Sequence, residues 1–123
     1  MEWTMSSARR ILVVEDEALV AMLVEDALLD AGLEVIGPAA TVAEAMRLLH
    51  AERPDAVVLD LNLAGETSTP IADVLKEREI PYVIATGYGV SGLPPGHLGA
   101  MVLPKPYDPT ELTTMLGRLC PVG

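Results

Sequence analysis

The stretch Asp55-Ala-Val-Val-Leu-Asp60-Leu-Asn62 decides the fold of this chain, because four apolar residues in it run directly into a carboxylate. A short apolar run that ends in a polar turn predicts a strand buried on both faces of a sheet. Asp60 would then stand at the carboxyl end of that strand, where open parallel α/β sheets bind their ligands. An Asp in such a place more often ends a strand or caps a turn, so Asp60 alone does not establish a site.

Four further apolar runs predict four further strands, with helical or turn segments between them. The strands are predicted at residues 10–14, 34–37, 55–60, 81–86 and 100–103, and the helices at 17–31, 41–51, 69–78 and from 108 onwards. This alternation predicts a (βα)5 fold with a doubly wound, five-stranded parallel sheet. Residues 87–99 contain five Gly and two Pro, so we expect the fourth helix to be short or irregular.

The segments between the strands carry local signals of their own. Thr41 and Glu44 have the spacing of a capping box at the start of the second helix. Thr69-Pro70 is expected to cap the third helix and to provide a proline at its first position. The connection at 61–68 is expected to be a loop. Residues 1–8 are expected to form a flexible leader, 9–120 the folded domain and 121–123 a short tail without an output domain.

Composition favours one packed domain and argues against some partners. Half of the 123 residues are apolar, which suits a single domain with its own core. The 18 acidic residues outnumber the 8 basic ones, and a net charge of −10 opposes binding to nucleic acid or to an anionic membrane surface. No apolar run approaches a membrane span, and one cysteine suits a reducing compartment. We therefore expect a cytoplasmic protein.

Polar side chains follow four of the predicted strands: Glu15 and Asp16, Asp60, Thr86 and Lys105. With the usual strand order 2-1-3-4-5, the ends of the first, third and fifth strands lie together. Three carboxylates there repel one another unless a cation neutralises them, and Mg2+ binds carboxylates together with phosphate oxygens. Lys105 and Thr86 are suited to holding a phosphoryl group. The remaining carboxylate is suited to forming an aspartyl phosphate.

From about residue 9 to residue 120 the chain resembles the receiver domains of bacterial response regulators in two-component signalling. The resemblance implies a flavodoxin-like receiver fold with Asp60 as the phosphoacceptor and Mg2+ as the cofactor. Asp16 would be a direct metal ligand, Glu15 would bind the metal through water, and Asn62 would offer its backbone carbonyl. The phosphoryl donor would be a histidine kinase or a histidine phosphotransfer protein. A downstream protein, whose identity the sequence does not give, would bind according to the phosphorylation state of Asp60.

The same resemblance assigns the phosphoryl-binding residues. Thr86 would contact the phosphoryl group and signal its presence, and Lys105 would pair with it across a cis bond to Pro106. Typical receivers carry an aromatic residue three positions before this Lys, where the chain has Val102. Tyr88, which follows Thr86 and Gly87, is the candidate to replace that aromatic switch.

A narrower resemblance is carried by Pro81-Tyr-Val-Ile-Ala-Thr-Gly-Tyr88. This stretch is similar to the Pro-Phe-x-Phe-Ala-Thr-Gly-Tyr segment of the FAT GUY single-domain receivers, with Tyr82 and Ile84 in place of the two Phe residues. That group is linked to phosphorelays, which implies a role as a relay member.

The first predicted helix carries apolar residues on two sides. Leu23 falls on the face that we expect to be buried, together with Val20, Ala21, Val24, Ala27, Leu28 and Ala31. Leu19, Met22 and Leu29 fall outside that face, among acidic residues. They are either scattered surface apolars or a patch for a partner or for self-association. We expect a monomer or a weak homodimer.

Two other functions stay open at this point. A phosphate-independent protein-binding domain on the same fold would explain the absence of an aromatic residue at Val102. An aspartyl-phosphate phosphatase is less favoured, because haloacid-dehalogenase-type enzymes place Asp-x-Asp after the first strand. Here Asp60-Leu-Asn62 follows the third strand and lacks the second Asp. A phosphoaccepting signalling module that is not itself an enzyme therefore agrees best with the sequence.

Overall fold

The computed structural model describes residues 9–63, 65–86, 96, 101–104 and 108–119. The strands of the main sheet are β1 (Arg10–Val14), β2 (Glu34–Ala39), β3 (Ala56–Asp60), β6 (Tyr82–Thr86) and β7 (Met101–Pro104). Two short strands, β4 (Asn62–Leu63) and β5 (Glu66–Thr67), form a separate antiparallel pair. The helices are α1 (Ala18–Asp30), α2 (Val42–Glu52), α3 (Thr69–Glu77) and α4 (Pro109–Leu119).

The five main strands are parallel and lie in the order β2-β1-β3-β6-β7. The predicted order 2-1-3-4-5 is therefore confirmed, since the β4–β5 pair accounts for the two extra numbers. The helix predicted between the fourth and fifth main strands is not α4 and lies outside the described residues. The leader at 1–8 and the tail at 121–123 lie outside them as well. None of the helices in the described ranges combines the length and the apolar character that a bilayer span requires.

Each central strand contributes side chains to two apolar layers, because successive residues of a strand point to opposite faces. Leu12 and Val14 of β1 pack in the layer that includes residues of α2 and α3. Ile11 and Val13 pack in the opposite layer with residues of α1 and α4. Every residue of β3 is buried. This burial on both sides explains why the strands appear in the sequence as unbroken apolar runs.

At the amino-terminal edge of the sheet, polar groups of neighbouring segments form hydrogen bonds with one another. The backbone N–H of Arg10 donates to the Asp55 carboxylate at 2.8 Å, and the N–H of Asp55 donates to the Arg10 carbonyl, also at 2.8 Å. The Arg10 guanidinium donates to the backbone carbonyl and to the carboxylate of Glu52, each at 2.6 Å. These bonds join the start of β1 to the end of α2 and to the turn before β3.

The capping of α2 agrees with the sequence prediction in part, and the capping of α3 differs from it by one residue. The Thr41 hydroxyl accepts the N–H of Glu44 at 3.1 Å, as the capping-box spacing predicts. The Glu44 carboxylate accepts from the N–H of Ala40 instead of that of Thr41, at 3.1 Å. At α3 the predicted cap is displaced by one residue, because Ser68 occupies the cap position and Thr69 is already helical.

The segment 61–68, which was expected to be a loop, contains the β4–β5 pair. Asn62 pairs with Thr67 and Leu63 with Glu66. The side chain of Leu63 is completely buried against the α2–α3 layer, which holds this small pair against the body of the domain. Strands of two residues are too short to show a periodic pattern, so the sequence gives no signal of them.

The expectation of burial was wrong for Ala31, which is exposed just after the end of α1, and for Leu23. The periodicity predicts a place on the buried face of α1, but the side chain is 62% exposed. The buried stripe of α1 consists of Ala21, Val24 and Leu28, spaced three and four residues apart. Leu23 lies beside this stripe and remains exposed to solvent. It joins Leu19, Met22 and Leu29 as a large exposed apolar side chain of α1.

We predict that Ser68→Ala raises the free energy of unfolding by about 1 kcal/mol, because it removes a buried polar atom without a partner. Ser68 is completely buried, and its hydroxyl oxygen has no hydrogen-bond partner among the residues that the structure describes. Its backbone carbonyl accepts from Ile71 and Ala72, and the substitution leaves these bonds intact. Urea unfolding measures the change, with the exposed neighbouring hydroxyl variant Thr67→Ala as the control. A lower stability of Ser68→Ala would show that the hydroxyl contributes a favourable bond.

Candidate functional site

The acidic residues meet because β1 and β3 are adjacent parallel strands in register. Val14, the last residue of β1, pairs with Leu59, which precedes the final residue of β3. Glu15 and Asp16 follow Val14, and Asp60 follows Leu59. The carboxyl ends of parallel strands lie at one edge of the sheet, so the ladder itself brings these side chains together.

One carboxylate oxygen from each of Glu15, Asp16 and Asp60 lies within 4.8 Å of the other two. Glu15 is 2% exposed and Asp60 is 6% exposed, whereas Asp16 is exposed to solvent. The cluster is therefore buried on the side of the sheet and open on the side of Asp16. Like charges at this spacing repel one another unless a cation lies between them, and oxygen ligands of this kind suit Mg2+. The residues present fit a magnesium site.

Two of the carboxylates are oriented by the backbone that follows them. The Glu15 carboxylate accepts the N–H of Glu17 at 3.1 Å, and the Asp60 carboxylate accepts the N–H of Asn62 at 3.3 Å. In both cases the donor lies two residues further along the chain, which limits the rotation of the acidic side chain. The backbone of Glu15 is fixed as well, since its N–H donates to the carbonyl of Ala39 at 2.9 Å.

Thr86 lies at the same edge of the sheet. It is the last residue of β6, and its neighbour Ala85 pairs with Asp60. The side chain of Thr86 is buried. In the sheet, Thr86 pairs with Pro104, the last residue of β7, on the side opposite to β3. Lys105 follows Pro104 directly in the sequence. Lys105, the predicted cis bond to Pro106, and the predicted switch residues Gly87 and Tyr88 lie outside the described residues.

The two replacements of Phe in the narrower resemblance have different surroundings. Ile84 is completely buried in the middle of β6. Tyr82 is partly buried at the amino end of β6, four residues before Thr86. Burial, and secondarily the carboxylate of Asp73, raise the pKa of the Tyr82 phenol. Val102, in place of the usual aromatic residue, is partly buried on β7 and pairs with Ile84.

One structural element of the site was not predicted from the sequence. Strand β2 supplies the Ala39 carbonyl that accepts the Glu15 N–H, and the pairing of β2 with β1 is irregular just before this bond. The predicted second strand ended at Gly37, whereas β2 continues to Ala39. The signal that could have indicated the irregularity is Gly37-Pro38, since both residues are unusual inside a strand.

The family model of the response regulator receiver domain matches residues 11–117. The chain belongs to the response regulator receiver domain family. It is 32% identical over 117 residues to the phyllosphere-induced regulator PhyR of Methylorubrum extorquens, a match that covers 90% of this chain and 43% of that protein. The chain spans about half the length of the first curated relatives that it matches.

Two solved structures extend the comparison. SdrG from Sphingomonas melonis Fr1 is 39% identical, with a TM-score of 0.81 over 94% of this chain and 98% of that one. The anti-anti-sigma factor PhyR from Bartonella quintana is 25% identical, with a TM-score of 0.79 over 94% of this chain and 48% of that one. The predicted receiver fold is confirmed, and the likeness to SdrG and PhyR agrees with the FAT GUY resemblance.

We predict that Mg2+ stabilises the wild-type protein and that Asp60→Asn loses most of this effect. A ligand present at ten times its dissociation constant raises the free energy of unfolding by about 1.4 kcal/mol. Asp60→Asn removes one of the three converging carboxylates, so the variant should also be more stable than the wild type when Mg2+ is absent. Urea unfolding with Mg2+ and with a chelator measures both effects.

The control for this experiment is Asp26→Asn, which removes the same charge from the exposed side of α1, away from the acidic cluster. It should respond to Mg2+ as the wild type does. An equal response of Asp60→Asn and the wild type would contradict the assignment of the metal to this cluster.

Proposed function

We propose that this chain is a response regulator that accepts a phosphoryl group on Asp60. In this proposal it then acts as a member of a phosphorelay or as a switch that binds another protein. The observation that carries the proposal is the position of Asp60 at the carboxyl end of β3, with oxygens of Glu15 and Asp16 within 4.8 Å. Receiver domains are signalling modules that bind Mg2+ at an acidic site of this kind.

The proposed reaction is a transfer from a phosphohistidine of the donor protein. An Asp60 oxygen forms the new bond to phosphorus, the P–N bond of the phosphohistidine breaks, and its electron pair remains on the imidazole. The N–H of Asn62 holds the Asp60 carboxylate by a 3.3 Å bond and so helps to orient the nucleophile. Mg2+, when bound, neutralises the charge of the carboxylates and of the incoming phosphoryl oxygens.

We propose roles for the neighbouring residues, and their places at the sheet edge support these roles. We assign Asp16 as a direct metal ligand, because it stands on the open side of the cluster, and Glu15 as a ligand through water. The backbone carbonyl of Asn62 is assigned as a further ligand, and support for this comes from the bond of its N–H to Asp60. The hydroxyl of Thr86 would donate to a phosphoryl oxygen, which its position one residue beyond the partner of Asp60 supports.

Lys105 completes the proposed site as the cation that pairs with the phosphoryl group. The support is its position in the sequence, directly after the last residue of β7, which pairs with Thr86. We further propose that Gly87 and Tyr88 transmit the phosphorylated state. Val102 provides no aromatic ring at the usual switch position, and Tyr88 follows Thr86 by two residues.

We propose that the exposed apolar residues of α1 form the docking surface for the phosphoryl donor. This α1 patch consists of Leu19, Met22, Leu23 and Leu29, each more than half exposed. Helix α1 begins at Ala18, two residues after Asp16, so a protein bound to the patch would be near Asp60. A histidine kinase or a histidine phosphotransfer protein must bring its phosphohistidine to this edge.

The charge of the chain bears on the choice of partner. The net charge of −10 opposes close association of two copies, so we propose a monomer or a weak homodimer. The same charge supports partners that are not nucleic acids and not membranes. The PhyR of Bartonella quintana is an anti-anti-sigma factor, and this supports a protein as the downstream partner here. The cytoplasmic location stays a prediction from the sequence.

We predict that the wild-type protein, incubated with acetyl phosphate and Mg2+, gives a species that is retarded in a phosphate-affinity gel. In this reaction Asp60 takes the phosphoryl group and acetate leaves. The species should be hydroxylamine-sensitive, as an acyl phosphate is, and should be absent without Mg2+ and in Asp60→Asn. The control Asp55→Asn removes a carboxylate at the opposite edge of the sheet and should be labelled normally.

Four outcomes would contradict the proposal. A hydroxylamine-resistant product, or equal labelling of Asp60→Asn, would place the phosphoryl group elsewhere. A complete failure of labelling, together with a failure to bind Mg2+, would favour a phosphate-independent binding domain on the receiver fold. Release of phosphate from added phosphomonoesters, at a rate that depends on Asp60, would favour the phosphatase.

For the α1 patch we predict that the double variant Leu19→Gln/Leu23→Gln slows phosphotransfer from a histidine kinase that labels the wild type, by about tenfold. Both side chains are exposed, so the fold should be retained, and loss of two apolar contacts weakens docking. The same variant should be labelled by acetyl phosphate at the wild-type rate, because this small donor needs no docking surface. Equal kinase-dependent rates for variant and wild type would rule out the patch.

A further inference from the structure

The irregularity between β1 and β2 lies directly before the acidic cluster. Leu12 pairs with Ile36, and Val14 pairs with Ala39, so β1 advances by two residues while β2 advances by three. Strand β2 therefore contains one extra residue, which is the definition of a β-bulge. The extra residue lies within Gly37-Pro38. A proline cannot donate to the ladder, and bulges are among the few places in a sheet where it is tolerated.

The bulge changes which side chains of β2 enter the core. Ile36 and Ala39 are three residues apart, so in a regular strand they would point to opposite faces of the sheet. Both are buried, and both belong to the apolar layer that includes residues of α2 and α3. The extra residue thus restores Ala39 to the inner face. It also places the Ala39 carbonyl where it accepts the Glu15 N–H at 2.9 Å.

Gly37 is the residue that permits this arrangement. Its φ is +93°, a backbone conformation that residues with a Cβ rarely adopt. A Cβ at this position would lie 2.8 Å from the Ala39 nitrogen and 3.1 Å from the Val13 carbonyl oxygen. The first distance is too short for a carbon and a backbone nitrogen, so the backbone at Gly37 or at Ala39 would have to shift. Any such movement is transmitted to Glu15 through the bond that joins them.

We infer that Gly37 is a positioning residue for the acidic cluster, acting through Ala39 on the backbone of Glu15. Gly37 touches neither metal nor phosphoryl group, and its effect is on the geometry of a ligand. Glu15 is fixed from two directions, by the Ala39 carbonyl at its N–H and by the Glu17 N–H at its carboxylate. The bulge controls the first of these. The inference rests on the proposed function in one respect, the binding of Mg2+ by the cluster.

The test compares Gly37→Ala with Gly32→Ala in the full chain. Gly32 has a similar φ of +83°, but a Cβ there meets nothing within 4 Å. Both variants therefore carry the backbone cost of a positive φ, and only Gly37→Ala places a Cβ against the backbone of Ala39. Two quantities are measured: the exchange rate of the Glu15 amide hydrogen by NMR in metal-free protein, and the dissociation constant of Mg2+ by calorimetry.

Gly37→Ala should weaken Mg2+ binding by about tenfold, the usual effect of losing a partner that orients a metal ligand. The Glu15 amide should exchange markedly faster, by about tenfold or more, while the amides of Val57 and Val58 in β3 keep their protection. Gly32→Ala should change neither quantity. If Gly37→Ala loses stability but keeps the wild-type exchange of Glu15 and the wild-type Mg2+ affinity, the inference is overturned and Gly37 serves the fold alone.

Two further outcomes are decided by the same design. If the wild type does not bind Mg2+, the proposed function fails, and the exchange of the Glu15 amide still decides whether Gly37 positions this residue. If Gly37→Ala does not fold, Gly37→Asn takes its place, since Asn tolerates a positive φ better and introduces the same Cβ. If neither variant folds, Gly37 is a requirement of the fold, and a specific positioning role is rejected.

Discussion

Repulsion among the carboxylates of Glu15, Asp16 and Asp60 is an unfavourable interaction that the packing of the rest of the domain must offset. Their oxygens lie within 4.8 Å of one another, because the register of β1 and β3 places the residues that carry them side by side. Without a cation, this proximity opposes folding. The burial of β1 and β3 on both faces offsets it, since each fully buried Val or Leu side chain contributes about 1.5–3 kcal/mol. The apolar core therefore stabilises a site that would otherwise separate.

The two edges of the sheet differ in the polar groups that surround their acidic residues. At the amino-terminal edge, Arg10 is bonded to Asp55 and Glu52, so acidic groups there are matched by a cation and by backbone donors. At the carboxyl-terminal edge, three acidic groups converge within one cluster. The oxygens of the second arrangement are of the kind that suit a divalent cation, whereas the first arrangement already joins Asp55 and Glu52 to Arg10. Asp55, at the other end of the same stretch as Asp60, accepts the Arg10 N–H and so joins the start of β1 to the turn before β3.

The sequence predicts those parts of the structure that follow from burial over several residues. Strands such as 56–60 can be identified because both faces are covered, and the edge of the sheet that carries Asp60 follows from the alternation of strands and helices. The β4–β5 pair could not be predicted, because two-residue strands have no period. Leu23 was misplaced because helical periodicity defines a face without showing how wide a stripe the sheet covers. The contact of Glu15 with Ala39 depends on an extra residue in a neighbouring strand, which is a property of pairing.

In the proposed function, docking and phosphoryl transfer would both use one structural unit, the strand β1 and the helix α1 that follows it. Glu15 and Asp16 lie between these two elements, and the α1 patch begins at Leu19. A donor protein bound to the α1 patch would therefore be oriented by the same backbone that carries two of the three acidic residues. The patch is apolar, and the acidic side chains of Asp26 and Asp30 are exposed beside it, so the surface that matches it combines apolar and basic groups. Such a surface would both contact α1 and reduce the negative charge that a phosphoryl group must approach.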